Sequence, residues 1–239
     1  GMRYAISDVH GECGKLKRLL RYIEHDATEY IFLGDYIDKG PDAKETVELL
    51  ITLSRSRKCT FLMGDHEYAW LEYLRGDERF YNFLLKYGGI ATLESYASRP
   101  IGQGDAREML ADRMRAGALL DIHKDFYGNL KFFHEAGDEF ICVHAGINPD
   151  KKDTPIESHD KEEIVFLRDK FIQSRFLYNS RKIIFGHTAF KERYVDDYKI
   201  GIDGGAVYKE AGYGSLIAFN IDRKEFINHK GETETLKRG

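Results

Sequence analysis

Three short apolar runs near the start of the chain end in the same way. "YAISDVHGE" (4–12), "YIFLGDYIDKG" (30–40) and "FLMGDHE" (61–67) each pass from strand-like hydrophobic positions through a small residue to Asp, with His or a second Asp just beyond. The strand-like runs, at 2–8, 30–34 and 59–64, alternate with two stretches of helical period. In 15–25 the repeating positions are Leu16, Leu19, Leu20 and Ile23, and in 43–53 they are Val47, Leu49, Leu50 and Leu53. Pro41 and Asp42 suit the opening of the second helix. This βαβαβ order predicts a largely parallel sheet. Ligands of such sheets gather beyond the carboxyl ends of the strands, which is where all three polar motifs fall.

From 66 to 127 the pattern is helical. Trp70, Leu71 and Leu74, then Phe80, Phe83, Leu84 and Tyr87, then Met109, Leu110 and Met114, recur at helical spacing and are expected to face a core. A break at "SRPIGQGDA" (98–106) divides two helical groups, and its GxG lacks the third glycine and the preceding strand of a dinucleotide loop. Beyond 128 strands return. "LKFFHEAGDEFICVHAG" (130–146) predicts a hairpin turning near Gly137-Asp138, a helix follows at 160–173, and "KIIFGHT" (182–188), "YKIGID" (198–203) and "SLIAFNI" (215–221) close the pattern. Two of these runs end in histidine, so His144 and His187 join the strand-end residues.

Composition narrows the classes. The chain has 239 residues, enough for a buried core, and no apolar run long enough to span a membrane. Gly1 ahead of Met2 reads as a tag remnant, and no secretory signal is visible. A net charge of −4 with scattered Lys and Arg provides no basic stripe, which argues against nucleic acid as a partner. Cys13, Cys59 and Cys142 are an odd set without paired spacing, so a reducing compartment, the cytoplasm, is expected.

The strand-end candidates are Asp8, His10, Asp35, Asp38, Asp65, His66, His144 and His187. Carboxylates and imidazoles without thiolates suit manganese, iron or zinc. The donors outnumber one coordination sphere, and a carboxylate shared by two ions ~3.5–4 Å apart would let the pair clamp both oxygens of a phosphoryl transfer. Covalent routes lack their parts. No Cys is followed by five residues and Arg, no D-x-D pair occurs, and there is no G-x-x-x-x-G-K-[ST] loop.

In order, "SDVHGE", "GDYIDKG", "GDHE", "VHAG" and "FGHT" resemble the signature of the metal-dependent phosphoprotein phosphatases, within the calcineurin-like metallophosphoesterases. The resemblance spans roughly 4–205 and is nearest in character to the compact bacterial branch of serine/threonine phosphatases and diadenosine tetraphosphatases. It implies that Asp8 and His10 bind one metal, that Asp35 bridges, and that Asp65, His144 and His187 complete the second. It implies His66 as proton donor to the leaving oxygen, held by Asp38, and Lys39 and Arg168 as phosphate clamps. Lys39 stands where the family usually has Arg, and offers a point charge in place of a bidentate fork. The lesser reading of Arg168 is a solvated helix residue paired with Asp169. Asp203 in "GIDGGAVY" is either a supporting group near the site or a plain turn residue. Asp65 stands where the resemblance predicts Asn.

The resemblance therefore implies an α/β four-layer sandwich, two mixed sheets between helices, as a single domain over 1–239 with a helical segment at about 76–128. It implies hydrolysis of phosphate monoesters by a metal-bound hydroxide, with two divalent ions, manganese first and iron or zinc as alternatives. A serine/threonine phosphoprotein is the first substrate expected, or a small phosphorylated molecule, with no membrane partner. The rivals are a diadenosine polyphosphate hydrolase and a metal-bound domain whose catalysis Asp65 has weakened.

Overall fold

A computed structural model describes residues 1–237. Its first part follows the predicted alternation: β1 (Met2–Ile6), α1 (Cys13–Ile23), β2 (Ala27–Phe32), α2 (Ala43–Ser56) and β3 (Lys58–Phe61). Then comes a run of helices: α3 (Asp65–Leu74), α4 (Phe80–Lys86), α5 (Gly89–Ala97), α6 (Gln103–Ala111), α7 (Arg113–Leu120) and α8 (Lys124–Gly128). The remainder holds β4 (Phe133–Ala136), β5 (Phe140–Val143), α9 (Lys161–Phe166), α10 (Asp169–Ile172), β6 (Lys182–Phe185), β7 (Tyr194–Val195), β8 (Lys199–Gly201), β9 (Asp203–Gly204), β10 (Ser215–Asn220), β11 (Glu225–Asn228) and β12 (Thr233–Thr235).

These strands make two mixed sheets. One runs β12-β11-β10-β1-β2-β3 with β9 also on β10, and the other runs β4-β5-β6-β8-β7. The parallel pairs β1/β2, β2/β3, β5/β6 and β6/β8 bring the ends of their strands to common edges. Alternation along each strand builds the layers. Tyr4, Ile6, Tyr30 and Phe32 face a core shared with Leu16, Leu19, Val47 and Leu50 of the helices. Ala5, Ile31 and Leu33 face Cys142, Ile184 and Ile200 of the second sheet. Ile141, Val143, Ile183 and Phe185 point outward to Phe171 and Tyr178. The result is the expected four-layer α/β sandwich, helices and sheets in sequence.

The structure departs from the pattern in several places. The apolar signal extends past the last ladder residue: β1 and β3 stop at Ile6 and Phe61, Leu62 keeps an isolated bridge to Lys131, and residues 7–8 and 63–64 are loop. The predicted helix at 160–173 is two, α9 and α10. Arg168 at φ −137°, ψ −102° breaks it, because that conformation cannot continue a helix. Run 198–203 is also divided: β8 belongs to the second sheet and β9 to the first. Two further antiparallel strands, β11 and β12, follow the last predicted one; their polar outer positions hide the period. Met114 is 87% exposed and Tyr87 41%, so neither joins the core that the helical spacing predicted for them.

Candidate metal centre

The first, second and last of the strand-end motifs leave their strands by sharp turns, while Asp65 opens a helix directly. Asp8, His10, Asp35, Asp38, Lys39 and His187 all adopt positive φ, between 43° and 73°. Asp and His tolerate this region better than most, yet it is strained backbone, and strain concentrated on chemically active residues marks a site held in place by its surroundings. Two glycines permit the loops to converge. A Cβ on Gly64 would collide with Asp35 Oδ1, and one on Gly186 with Ser7 Oγ.

The convergence forms a polar cleft of about 170 Å³ lined by Asp8, His10, Asp35, Lys39, Asp65, His66, Arg168, His187 and Asp203, with Ala189 and Tyr208 at its margin. His144 lies fully buried beneath it. Donor atoms of Asp35, Asp65, His144 and His187 fall within 4.8 Å of one another, as do those of His10, Asp35 and His66. Asp35 belongs to both groups, and it is the residue from which the sequence implies a bridge. His144 Nε2 stands 3.0 Å from Asp65 Oδ1 and 3.3 Å from Asp35 Oδ2. His187 Nδ1 is 3.2 Å from Asp65 Oδ1. On the other side, His10 Nε2 is 3.4 Å from Asp35 Oδ2 and 3.7 Å from Asp8 Oδ2. Asp8 thus stands beside the second group, in which His66 also lies.

The donor set fits divalent cations. His10 Nδ1–H donates to Ile37 O at 2.8 Å and His144 Nδ1–H to Leu33 O at 2.6 Å, which turns both Nε2 lone pairs inward. Asp8, Asp35 and Asp65 are at most 4% exposed, and their only ion-pair partners among the described residues are histidines. Burial alone would raise the Asp35 carboxyl, but facing His144, His66 and His10 hold it well below the usual carboxylate range. Burial works to lower His66; Asp35, Asp65 and the bond to Asp38 overcome it and raise the imidazole to about 10. His144 is likewise pulled well up against its burial, chiefly by Asp35. The cluster as built draws positive charge, and metal ions satisfy such a demand better than shared protons.

His66 is held separately. Its Nδ1–H donates to Asp38 Oδ2 at 2.8 Å, and Asp38 is anchored by Trp70 Nε1–H at 2.8 Å and Thr92 Oγ1–H at 2.6 Å, both to Oδ1. His66 Nε2 is left facing the cleft. Lys39 Nζ meets the Tyr208 hydroxyl. Arg168 is not paired with Asp169: its Nη2 donates to His187 Nε2 at 3.1 Å and its Nη1 to Thr188 Oγ1 at 3.4 Å. Asp203 lies against the cleft with its Oδ1 accepting from Gly205 N at 2.9 Å, and burial, with Asp8 close by, pushes its carboxyl well up.

Sequence reading missed several supports. Glu67 is fully buried, and its carboxylate accepts from the backbone N–H of Asp35 at 2.7 Å, Tyr36 at 2.9 Å and Gly64 at 3.1 Å, fixing two motif loops at once. Its signal was its place three residues after the helix-capping Gly64. Trp70 carried only its core-facing spacing, and Thr92 and Tyr208 no local signal, because the partners of all three are distant in sequence.

Known proteins agree with this architecture. The chain is 23% identical to the bis(5'-nucleosyl)-tetraphosphatase PrpE [asymmetrical] of Oceanobacillus iheyensis, over 93% of its own length and 90% of the relative's. Among solved structures it resembles a putative diadenosine tetraphosphatase with a TM-score of 0.59 at 19% identity, covering 99% of this chain and 93% of the other. It also resembles the cold-active protein-tyrosine phosphatase of a psychrophilic Shewanella species with a TM-score of 0.63 at 16% identity, covering 99% and 80%. The model of the calcineurin-like phosphoesterase family matches residues 4–202, and with that match over the sheets and strand-end loops just described, the chain belongs to the calcineurin-like phosphoesterases.

Proposed function

We propose that this phosphoesterase hydrolyses the phosphoanhydride of a bis(5'-nucleosyl) tetraphosphate, using two divalent cations. The observation that carries the reaction class is Asp35, shared by two donor groups, beside a His66 whose Nδ1 is held by Asp38 and whose Nε2 lies 4.0 Å from Asp65. The substrate is drawn from the tetraphosphatase relative, which aligns along nearly the whole chain. On this reading Asp8 and His10 hold one cation, Asp65, His144 and His187 hold the other, and Asp35 serves both. Manganese suits the set, with iron or zinc as alternatives. Bound there, the pair would polarise the phosphoryl oxygens and make a water nucleophilic at neutral pH. Lys39 and Arg168, at the cleft lip, orient and neutralise the phosphate. Water gives up a proton to solvent and attacks phosphorus, the bond to the leaving oxygen breaks, and His66 Nε2–H supplies the proton that oxygen takes, with Asp38 fixing the ring.

One observation favours the substrate first expected from the sequence, a phosphoserine or phosphothreonine ester. A proton donor as firmly held as His66 is of most use to an alkoxide, whereas a departing nucleotide carries its negative charge readily. A side-by-side assay of the manganese-loaded protein on diadenosine tetraphosphate, a phosphopeptide and p-nitrophenyl phosphate separates the two. The tetraphosphate is expected to have the highest kcat/KM; a phosphopeptide ahead of it, or a tetraphosphate left intact, reverses the order.

Asp65 bears on how fast either reaction runs. Its Oδ1 faces both His144 and His187, so its charge sits within the donor group itself. A unit charge at ~4 Å in an effective dielectric near 20 is worth about 4 kcal/mol, which bounds its effect on a neighbouring ionisation at about 3 pH units. Negative charge opposes loss of a proton from the attacking water. Asp65→Asn is therefore expected to raise the rate, move the acid limb of the pH–rate profile to lower pH, and weaken cation affinity in a calorimetric titration. An unmoved limb with unchanged cation affinity removes this account, and with it the electrostatic reason for treating the chain as a catalytically weakened domain.

A further inference from the structure

Next to His66 and His187, just outside the residues that line the cleft, lies a group of aromatic rings. The Phe83 ring lies 5.2 Å from the His66 ring, and the Tyr87 ring lies 5.0 Å beyond Phe83. Phe166, at the end of α9, meets Phe83 edge-on at 5.8 Å and approaches the His187 ring at 6.4 Å. Their neighbours do the packing. Phe80 and Leu84 are buried and hold α4 to the core, Phe80 stacking on Phe166. Phe83 and Phe166 keep part of their surface open, and Tyr87 is 41% exposed. Phe83 and Phe166 thus pack against the core on one side and leave the other side open. This group is also tied to the phosphate-facing groups at both ends. Gly88 O accepts from Lys39 N at 3.0 Å, and Phe166 stands two residues before Arg168. Gly88, at φ +98°, allows that contact, since a Cβ there would collide with the Lys39 backbone.

We propose that Phe83, Tyr87 and Phe166 form a stacking shelf for a nucleobase on the leaving-group side of the cleft. The side is set by His66, so the assignment rests on His66 facing the leaving oxygen. The occupant is set by reach. A single phenol on phosphorus needs one ring face beside His66, which Phe83 supplies at 5.2 Å; Tyr87, 5.0 Å from Phe83, adds a second face of use to a base carried beyond a ribose. Rings offer a planar face to any base, and Lys86 Nζ at 5.2 Å from the Tyr87 ring adds a cation at the outer edge.

Competitive inhibition of p-nitrophenyl phosphate hydrolysis by the metal-loaded full chain tests the shelf without presuming the tetraphosphate. AMP is expected to inhibit at roughly tenfold lower concentration than ribose 5-phosphate, which presents the same phosphate without a base. Tyr87→Ala, at an exposed position, is expected to close most of that gap, Tyr87→Trp to keep it, and Phe83→Leu to narrow it. Equal inhibition by AMP and ribose 5-phosphate overturns the shelf, as does a gap that survives both Tyr87→Ala and Phe83→Leu. Tighter binding of phosphotyrosine than of AMP overturns the nucleobase as occupant. The two readings fail separately. An AMP preference with no cleavage of diadenosine tetraphosphate keeps the shelf and removes the tetraphosphatase, and equal inhibition with the tetraphosphate cleaved does the reverse.

Discussion

Asp35→Asn is expected to abolish both cation positions together and to lower turnover by about a thousandfold or more. Asp35 Oδ2 stands 3.4 Å from His10 Nε2 and 3.3 Å from His144 Nε2, so a single carboxylate faces the imidazoles of both donor groups. An amide retains the shape and loses the charge that binds a divalent ion. Lewis-acid stabilisation of a phosphoryl transition state is worth several kcal/mol, and about 4 kcal/mol corresponds to a thousandfold in rate. Elemental analysis gives the direct readout, with about two ions per chain expected in the unaltered protein and fewer than one in the variant. Loss of one ion with the other retained would place the bridge on another residue. Asp35 Oδ1 also accepts from His66 N at 3.0 Å, a bond an amide oxygen can keep, so the α3 entry should survive and the effect be read as charge.

The second large effect is expected at His66. His66→Asn should lower kcat on an alkyl phosphate by roughly 10²- to 10⁴-fold, the usual worth of a positioned proton donor. On p-nitrophenyl phosphate and on the tetraphosphate, whose leaving oxygens need little protonation, the loss should be much smaller. Equal losses across the three substrates would exclude His66 as the donor. Asp38→Asn should show the same ranking in milder form, because Asp38 acts through the ring it holds. The structure explains how: with Trp70 Nε1–H and Thr92 Oγ1–H both donating to Asp38 Oδ1, an amide oxygen takes that place and its NH₂ faces His66 Nδ1. The ring must then accept at Nδ1, which favours the neutral ring and reduces the share of imidazolium available to donate at a given pH. A shifted pH profile, as well as a lower rate, is the signature of that change and distinguishes it from a loosened fold.

How far sequence alone reaches is clearest at particular residues. The alternation of apolar runs placed Asp8, Asp35 and Asp65 at strand ends, because hydrophobic period reports which side of an element is buried and where that element stops. Five ordered motifs then indicated the family. Local pattern also located the hairpin turn at Gly137-Asp138 and the helical stretch after Asp65, since both are set by neighbours within a few positions. What it could not supply was convergence. His187 N reaches Asp8 Oδ1 across 179 positions, and His187 Nδ1 reaches Asp65 Oδ1 across 122, contacts that exist only once two separate sheets have packed face to face. The same holds for Glu67 spanning two loops, and for the break at Arg168 that turns a helix residue toward the cleft. It holds too for Phe83 and Tyr87, which share one helical stripe with Phe80 and Leu84. Spacing assigns all four to a single face, and only the tertiary packing covers two of them and leaves Phe83 partly open beside His66 and Tyr87 open beside Phe83, because burial depends on what arrives from elsewhere in the chain. Residue type and order thus determined the chemistry available to this protein, and the packing of its sheets and helices decided which groups meet, which stay open, and what they face.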